Sequence, residues 1–242
     1  MIEPWPAREL PLARAVRGLC VGGWWVDLAV EATSGIAETL SGHAMRLAEK
    51  LVAGAVGSPS ADVRVATLAP SGRPVAAVRG LSRVPTVSTS HVSGLVGAAV
   101  SVDGAVGLDL VEPADAGRGL DLFFSPDELA LLPDECGLLR ALLWAAKEAA
   151  FKAARLDIVF RPLDVEIQSL SVNDFTWTVR GLHRVVRGAG RFAAASGSVV
   201  AIAATARDGR DAKANPEKVA VYRRSQPLQR TAADSIHGLP CS

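Results

Sequence analysis

The most constraining feature of this sequence is the segment WAAKEAAFK at residues 144–152, which follows an apolar run that contains a carboxylate. Trp144, Glu148 and Lys152 are spaced four residues apart, so a helix of about 3.6 residues per turn places them on one face. Alanine, the best helix former, fills most of the other positions. The segment therefore predicts a helix with an anion and a cation along one stripe. A solvated helix face stabilised by a Glu–Lys pair is the alternative explanation.

The apolar run before this helix predicts two strands joined by a tight turn. Residues 96–100 and 105–111 are small or branched and apolar, and Asp103-Gly104 between them is a hairpin signal. Asp109 falls late in the second strand, in the sequence GLD. Burying a carboxylate there without a partner is costly, so Asp109 must meet water, a hydrogen-bond donor or a cation. An aspartate at a solvated strand end fits the same pattern.

Polar side chains that suit an oxyanion precede these strands. Ser90 and His91 lie in VSTSHV, where we expect a strand to begin, and SGRP presents Arg73 in a turn. A hydroxyl and an imidazole can both hydrogen-bond an oxyanion, and the planar fork of arginine can hold a phosphate bidentately. A hydrogen-bonded core histidine and a solvated arginine are the alternatives.

The motifs GRP, SH, GLD, FFSPDE and WAAKEAAFKA occur in this order and together resemble the 4'-phosphopantetheinyl transferases, specifically the longer, surfactin-synthetase-activator type built from two similar halves. The resemblance spans residues 72–163. It implies an α+β pseudo-dimer of two similar halves, with the active site in the cleft between them. The halves would be residues 1–106, which contact the nucleotide, and residues 107–207, which carry the metal and the catalytic helix. Residues 208–242 would form a flexible tail.

The resemblance implies a reaction and a set of site residues. The phosphopantetheine arm of coenzyme A would move to a serine of an acyl or peptidyl carrier protein, releasing adenosine 3',5'-bisphosphate. By matching position, Asp109 and Glu148 would hold Mg2+, or Mn2+, on the pyrophosphate, and hard oxygen ligands suit this ion. Lys152 would contact a phosphate, and Glu148 is the preferred general base. The remaining positions concern the nucleotide, with Ser90 and His91 at the 3'-phosphate and Arg73 near that phosphate or the adenine.

One departure from the longer type concerns a third carboxylate. Many members carry D-x-E, whereas here the matching position is Val111 and the acid has moved to Glu112. In a strand, Asp109 and Val111 face one side and Glu112 faces the other, unless Pro113 bends the strand end. The D-x-V-E order instead resembles the short acyl-carrier-protein synthase branch, where a water takes the vacant coordination place. We therefore expect two protein carboxylates on the metal.

Composition excludes several classes of function. The 242 residues are 49% hydrophobic and 21% charged, with a mean hydropathy of +0.25 but no continuous membrane-spanning segment. A net charge of +1 and only 5% aromatic residues give no nucleic-acid-binding pattern. The three cysteines are odd in number and far apart, which argues against a disulfide framework and favours the cytoplasm. We expect a monomer, because the resemblance implies that one chain supplies both halves of the cleft.

The remaining periodicity predicts further elements. A helix is expected from about residue 36 to residue 56, with His43 and Arg46 at surface positions or approaching the nucleotide. A first strand is expected at residues 24–30, and a capped helix within residues 122–132. Further strands are expected near 63–68, 75–78, 165–168, 174–179 and 198–205. Arg140, Arg155 and Arg161 flank the main helix and are candidates for docking an acidic carrier, or ordinary surface charge.

Two other classes of function fit parts of the pattern. A non-catalytic coenzyme A or nucleotide-binding protein would keep Arg73, Ser90 and His91 but would not transfer, as the change at Val111 suggests. A helix-rich interaction or scaffold domain would use WAAKEAAFK only as a stable helix and would bind no metal-dependent ligand. The joint presence of Asp109, Glu148 and Lys152 favours the enzyme.

Overall fold

The computed structural model describes residues 9–33, 39–69, 71–132, 137–156, 158–171 and 173–207. These ranges contain eleven strands and three α-helices. The strands are β1 (Val16–Val21), β2 (Trp24–Ala32), β3 (Val63–Leu68), β4 (Arg73–Val78), β5 (Thr86–Val92), β6 (Leu95–Ser101), β7 (Gly104–Val111), β8 (Val165–Leu170), β9 (Asp174–Arg180), β10 (Val185–Ala195) and β11 (Ser198–Ala206), and the helices are α1 (Leu40–Val56), α2 (Pro126–Leu129) and α3 (Gly137–Ala154).

The strands form two antiparallel sheets, each covered on its outer face by one helix. One sheet has the order β1-β2-β6-β5 and the other β7-β11-β10-β9-β8, while β3 and β4 form a separate pair. The inner faces of the two sheets share an apolar layer that includes Leu28, Leu108 and Ile202. Helix α1 lies over the first sheet and α3 over the second, each on its own apolar cluster. This helix–sheet–sheet–helix layering has the α+β character predicted from the sequence.

The predicted hairpin of β6 and β7 is wrong. Both strands form close to the expected bounds, but they belong to different sheets. Strand β6 pairs with β2 on one side and β5 on the other, so neither of its edges is available to β7. The Ser101 hydroxyl accepts a hydrogen bond from Gly104 N–H at 3.1 Å and donates to Trp25 O at 2.9 Å. The segment therefore forms a corner through which the chain passes from one sheet to the other.

The strand predicted to be first, at residues 24–30, is the second. Strand β1 precedes it and pairs with it antiparallel. The sequence also gave no indication of β10, whose glycines weaken a strand signal. A Cβ at Gly190 would lie 1.9 Å from the Phe175 ring, and one at Gly188 would lie 2.4 Å from the Trp177 ring. Only glycine leaves space for these two aromatic side chains. The two glycines that weaken the strand signal of β10 are therefore required for its packing.

The helix termini follow local chemistry. Helix α1 begins at Leu40, where the Thr39 hydroxyl accepts from Gly42 N–H at 3.2 Å, and it ends at Val56, which is followed by Gly57 in the left-handed conformation. The first residues of the predicted helix, 36–38, lie outside the described residues. The helix predicted within residues 122–132 is shorter than expected, but the capping box of Ser125 and Glu128 is present.

The structure bears on two expectations from composition, which concern membrane spans and disulfides. No helix in the described part of the chain is long and apolar enough to span a membrane. Cys20 is disulfide-bonded, whereas the odd cysteine count argued against a disulfide framework. Cys136, Cys241 and the predicted tail at 208–242 lie outside the described residues. The cysteine count therefore gives no support to the cytoplasmic expectation.

Candidate functional site

A glycine brings α3 directly onto β7. A Cβ at Gly107 would lie 1.9 Å from Ala149 O and 2.6 Å from Ala153 N, so any larger residue would push the helix away. Ala149 and Ala153 are fully buried at this crossing. The GLD motif therefore does more than end an apolar run, since its glycine sets the approach that lets α3 side chains reach Asp109.

Asp109, Glu148 and Lys152 meet at this crossing. Lys152 Nζ lies 2.6 Å from Asp109 Oδ1, 3.1 Å from Leu108 O and 3.5 Å from Glu148 Oε2. Asp109 is only 4% exposed, while Glu148 and Lys152 are each partly exposed. One lysine therefore contacts two carboxylates that come from different elements, at the edge of the buried core.

The electrostatics of this cluster follow from burial and like charge. Burial raises the pKa of Glu148 and the Asp109 carboxylate raises it further, while Lys152 and a hydrogen bond from Trp144 act in the opposite direction. Burial opposes the charge on Lys152, but Asp109 and Glu148 outweigh it and raise the pKa of this lysine. The ammonium group is thus held charged by two carboxylates that repel each other.

The donor set of this cluster fits magnesium. Asp109 and Glu148 are hard oxygen donors that face one cation, and their mutual repulsion is relieved by positive charge between them. Within the described ranges, no group of three or more His, Cys, Asp or Glu residues could hold a metal ion. Magnesium usually takes one or two protein carboxylates and completes its shell with substrate phosphates and water.

Val111 and Glu112 are placed as the strand period predicts. Val111 packs against the apolar cluster under α3, on the same side of β7 as Asp109. Glu112 follows the last residue of β7 and precedes a 3₁₀ turn that begins at Pro113. The residue that shares the face of Asp109 is therefore apolar.

Beyond the C-terminal end of α3 lies a cationic pocket of about 430 Å³. Its walls include four arginines, Arg73, Arg155, Arg184 and Arg207, together with the residues that lead into β5. Arg184 Nη2 donates to Ala154 O at 3.3 Å and Arg155 O at 3.4 Å, and Arg73 Nη1 donates to Arg155 O at 3.5 Å. Two of the arginines thus bind the carbonyls that the helix end leaves unpaired. The concentration of guanidinium groups suits a phosphate.

The carboxylate cluster lies near the C-terminal end of α3, and Arg155 of the pocket directly follows the last residue of this helix.

Residues 105–196 match the 4'-phosphopantetheinyl transferase superfamily. A search of curated proteins finds no match. The matched segment runs from β7 through α3 to the end of β10, so it contains all three members of the cluster.

This superfamily match supports phosphopantetheine transfer as the general chemistry of the segment. Members of the superfamily use coenzyme A as substrate and Mg2+, which agrees with the donor set of Asp109 and Glu148. The match covers Arg155 and Arg184 of the pocket, whereas Arg73 and Arg207 lie outside it. The predicted nucleotide contacts Ser90 and His91 also lie outside the matched residues.

The structure does not bring together the three residues predicted at the nucleotide. Ser90 and His91 lie at the end of β5, where their side chains point to opposite faces. Ser90 Oγ donates to Asp109 Oδ1 at 2.9 Å, so this hydroxyl belongs to the carboxylate cluster. His91 is exposed, and Arg73 lines the arginine pocket.

Several charged residues near the helix have other partners than expected. Arg140 is 8% exposed and forms a bidentate pair with Asp121 at 2.7 and 3.1 Å, so it is not a docking residue on the surface. Arg155 lines the pocket and Arg161 is exposed. His43 is buried, with Nε2 2.7 Å from Glu31 Oε2, which corrects its expected surface position.

Aromatic rings support the other end of the stripe. The Trp144 ring lies 5.5 Å from Phe123 and 5.9 Å from Phe160, and Phe160 lies 4.9 Å from Phe151. These rings hold the indole whose N–H hydrogen-bonds Glu148. The helical spacing placed Trp144 beside Glu148, but it could not show that the tryptophan is a hydrogen-bond partner of that carboxylate.

Proposed function

We propose that this protein transfers the 4'-phosphopantetheine arm of coenzyme A to a serine of an acyl or peptidyl carrier protein, releasing adenosine 3',5'-bisphosphate. The observation that carries the proposal is the convergence of Asp109, Glu148 and Lys152 within the matched segment. One helix lies over one antiparallel sheet in each part of the chain, which supports the longer type with two similar halves. Because one chain would then supply both halves of the cleft, we expect a monomer.

The residues of the cluster would divide the work of this reaction. Asp109 and Glu148 would hold Mg2+, which when bound offsets negative charge on the pyrophosphate. The carrier serine oxygen forms a bond to the phosphorus that bears the pantetheine arm, and the bond from this phosphorus to the bridging oxygen breaks. Glu148 takes the serine proton, directly or through one water, and Lys152 stabilises the charge that stays on the departing bisphosphate.

The arginine pocket would receive the phosphorylated end of the nucleotide. A phosphate carries up to two negative charges, and an arginine fork can bind two of its oxygens at once. Arg73 was expected near the 3'-phosphate or the adenine, and its position in the pocket together with Arg155 and Arg184 supports the first of these placements. The pocket lies past the end of α3, so the nucleotide would extend along the helix from the pyrophosphate at Lys152.

Arg73→Gln is expected to weaken coenzyme A binding about tenfold, since one charge-assisted contact to the 3'-phosphate is lost. Dephospho-coenzyme A lacks this phosphate, so its affinity should stay unchanged. Calorimetric titration of both ligands measures the difference. Arg79→Gln is the matched control, because Arg79 is exposed, follows the same strand and pairs with Asp62 at 3.3 Å. Equal losses for the two ligands would contradict this placement of the 3'-phosphate.

The proposed reaction is tested by intact-protein mass spectrometry. Apo acyl and peptidyl carrier proteins are incubated with coenzyme A, Mg2+ and this protein, and the expected result is a mass gain of one phosphopantetheine arm that a chelator prevents. The non-catalytic coenzyme A-binding alternative is favoured by one observation, the apolar Val111 on the face of Asp109. Measurable coenzyme A binding without mass gain on any carrier would establish that alternative instead.

A further inference from the structure

Side-chain hydroxyls join the two sheets at their facing edges. Strands β5 and β7 are edge strands of different sheets. Three hydroxyls at alternate positions of β5, which share one face, reach the backbone of β7. Thr86 Oγ1 donates to Gly104 O at 2.8 Å, Ser88 Oγ accepts from Leu108 N–H at 2.9 Å, and Ser90 Oγ accepts from Leu110 N–H at 3.2 Å.

Ser90 makes one contact that Ser88 is not seen to make. A hydroxyl has one proton to donate and two lone pairs that accept. Ser90 accepts from Leu110 N–H and directs its proton to Asp109 Oδ1 at 2.9 Å. The same hydroxyl is therefore tied to the backbone of β7 and to the carboxylate that β7 carries.

Asp109 is held from two sides at the same oxygen. Ser90 approaches Oδ1 from β5, and Lys152 approaches Oδ1 from α3 at 2.6 Å. Asp109 Oδ2 takes part in neither contact. With Asp109 only 4% exposed, these two bonds fix the orientation of the carboxylate and leave one oxygen for a further ligand.

We propose that Ser90 is a positioning residue that orients Asp109 for metal binding. This inference rests on the proposed function, in which Asp109 holds the metal. Groups that hydrogen-bond a metal ligand fix its geometry, and their loss commonly weakens metal affinity. A serine that contacted the 3'-phosphate would instead affect coenzyme A binding whether or not metal is present.

The test compares Ser90→Ala with Ser88→Ala in the full-length protein. Both variants remove a hydroxyl that accepts an N–H of β7, but only Ser90→Ala removes the bond to Asp109. The measurements are Mn2+ affinity by titration in the presence of coenzyme A, coenzyme A affinity in chelator, and stability to urea. We expect Ser90→Ala to weaken Mn2+ binding about tenfold or more and to leave metal-free coenzyme A binding unchanged. Ser90→Thr, which keeps a hydroxyl, should restore Mn2+ affinity.

Ser88→Ala should lower stability without changing Mn2+ affinity. Equal Mn2+ affinities for the two alanine variants would overturn the proposal, because the hydrogen bond from Ser90 to Asp109 would then have no effect of its own on metal binding. Weaker metal-free coenzyme A binding in Ser90→Ala alone, with Mn2+ affinity intact, would overturn it in favour of a nucleotide contact. If wild-type protein binds no Mn2+, the proposed metal site itself is wrong, and Ser90 then has no metal ligand to orient.

Discussion

Glu148→Gln is expected to lower the rate of carrier modification about a thousandfold while coenzyme A still binds. The substitution keeps the length of the side chain and its place beside Trp144, but it removes the negative charge that would hold the metal and accept the serine proton. A general base alone contributes about 10²–10⁴-fold, and a lost metal ligand adds to this. Mass spectrometry of apo carrier, sampled over time, gives the rate.

The matched control is Glu112→Gln, which removes a carboxylate three residues along the chain from Asp109. Glu112 follows the end of β7, whereas Val111 occupies the position that shares the α3 side with Asp109. We therefore expect Glu112→Gln to transfer at the wild-type rate. A large loss in this variant would show that Glu112 replaces the missing carboxylate. A Glu148→Gln variant that transfers normally would remove Glu148 from both of its proposed roles.

The stripe of charged residues on α3 could be predicted because helical periodicity is a local property. A spacing of four residues places Trp144, Glu148 and Lys152 on one stripe whatever the rest of the chain does. The need of Asp109 for a partner could be predicted because a carboxylate inside an apolar strand is costly to bury alone, whereas its link to this stripe was implied only by the resemblance. In the structure the partner is a cation of the helix, since Lys152 Nζ lies 2.6 Å from Asp109 Oδ1.

The arginine pocket could not be predicted, because its members meet only through the tertiary fold. Arg184 precedes β10, a strand whose glycines conceal it, and Arg207 follows the last residue of β11. Arg73 was recognised from a short motif, but the other three arginines of the pocket are more than eighty positions away in the sequence. The prediction of a β6–β7 hairpin failed for a similar reason. The two-residue link between these strands does not indicate that both edges of β6 pair with other strands.

Lys147 is a buried charged residue of α3, next to the stripe of Glu148 and Lys152. Its side chain is fully buried, with Nζ 2.7 Å from Glu128 Oε1 and a further hydrogen bond to Pro162 O at 2.9 Å. Glu128 in turn accepts from Ile167 N–H at 2.9 Å and caps α2. Burial lowers the pKa of Lys147, and Glu128 partly offsets this. The pair thus joins α2, α3 and the start of β8.

Lys147→Met is therefore expected to lower the free energy of unfolding by about 3–5 kcal/mol, because Glu128 is left charged and 2% exposed without its cation. Arg180→Gln is the control, since Arg180 lies at the same 2.7 Å from Glu166 but the two side chains are 66% and 40% exposed. Its effect should stay below about 1 kcal/mol. Urea titration measures the free energy of unfolding of both variants and of the wild type. If this free energy depends equally steeply on urea concentration in all three proteins, a shift of the unfolding midpoint reports a change in stability. Equal losses in the two variants would mean that burial does not set the strength of this pair. Since Lys147 lies outside the stripe of Glu148 and Lys152, the folded variant should still bind coenzyme A, and its transfer should fall only with the folded fraction.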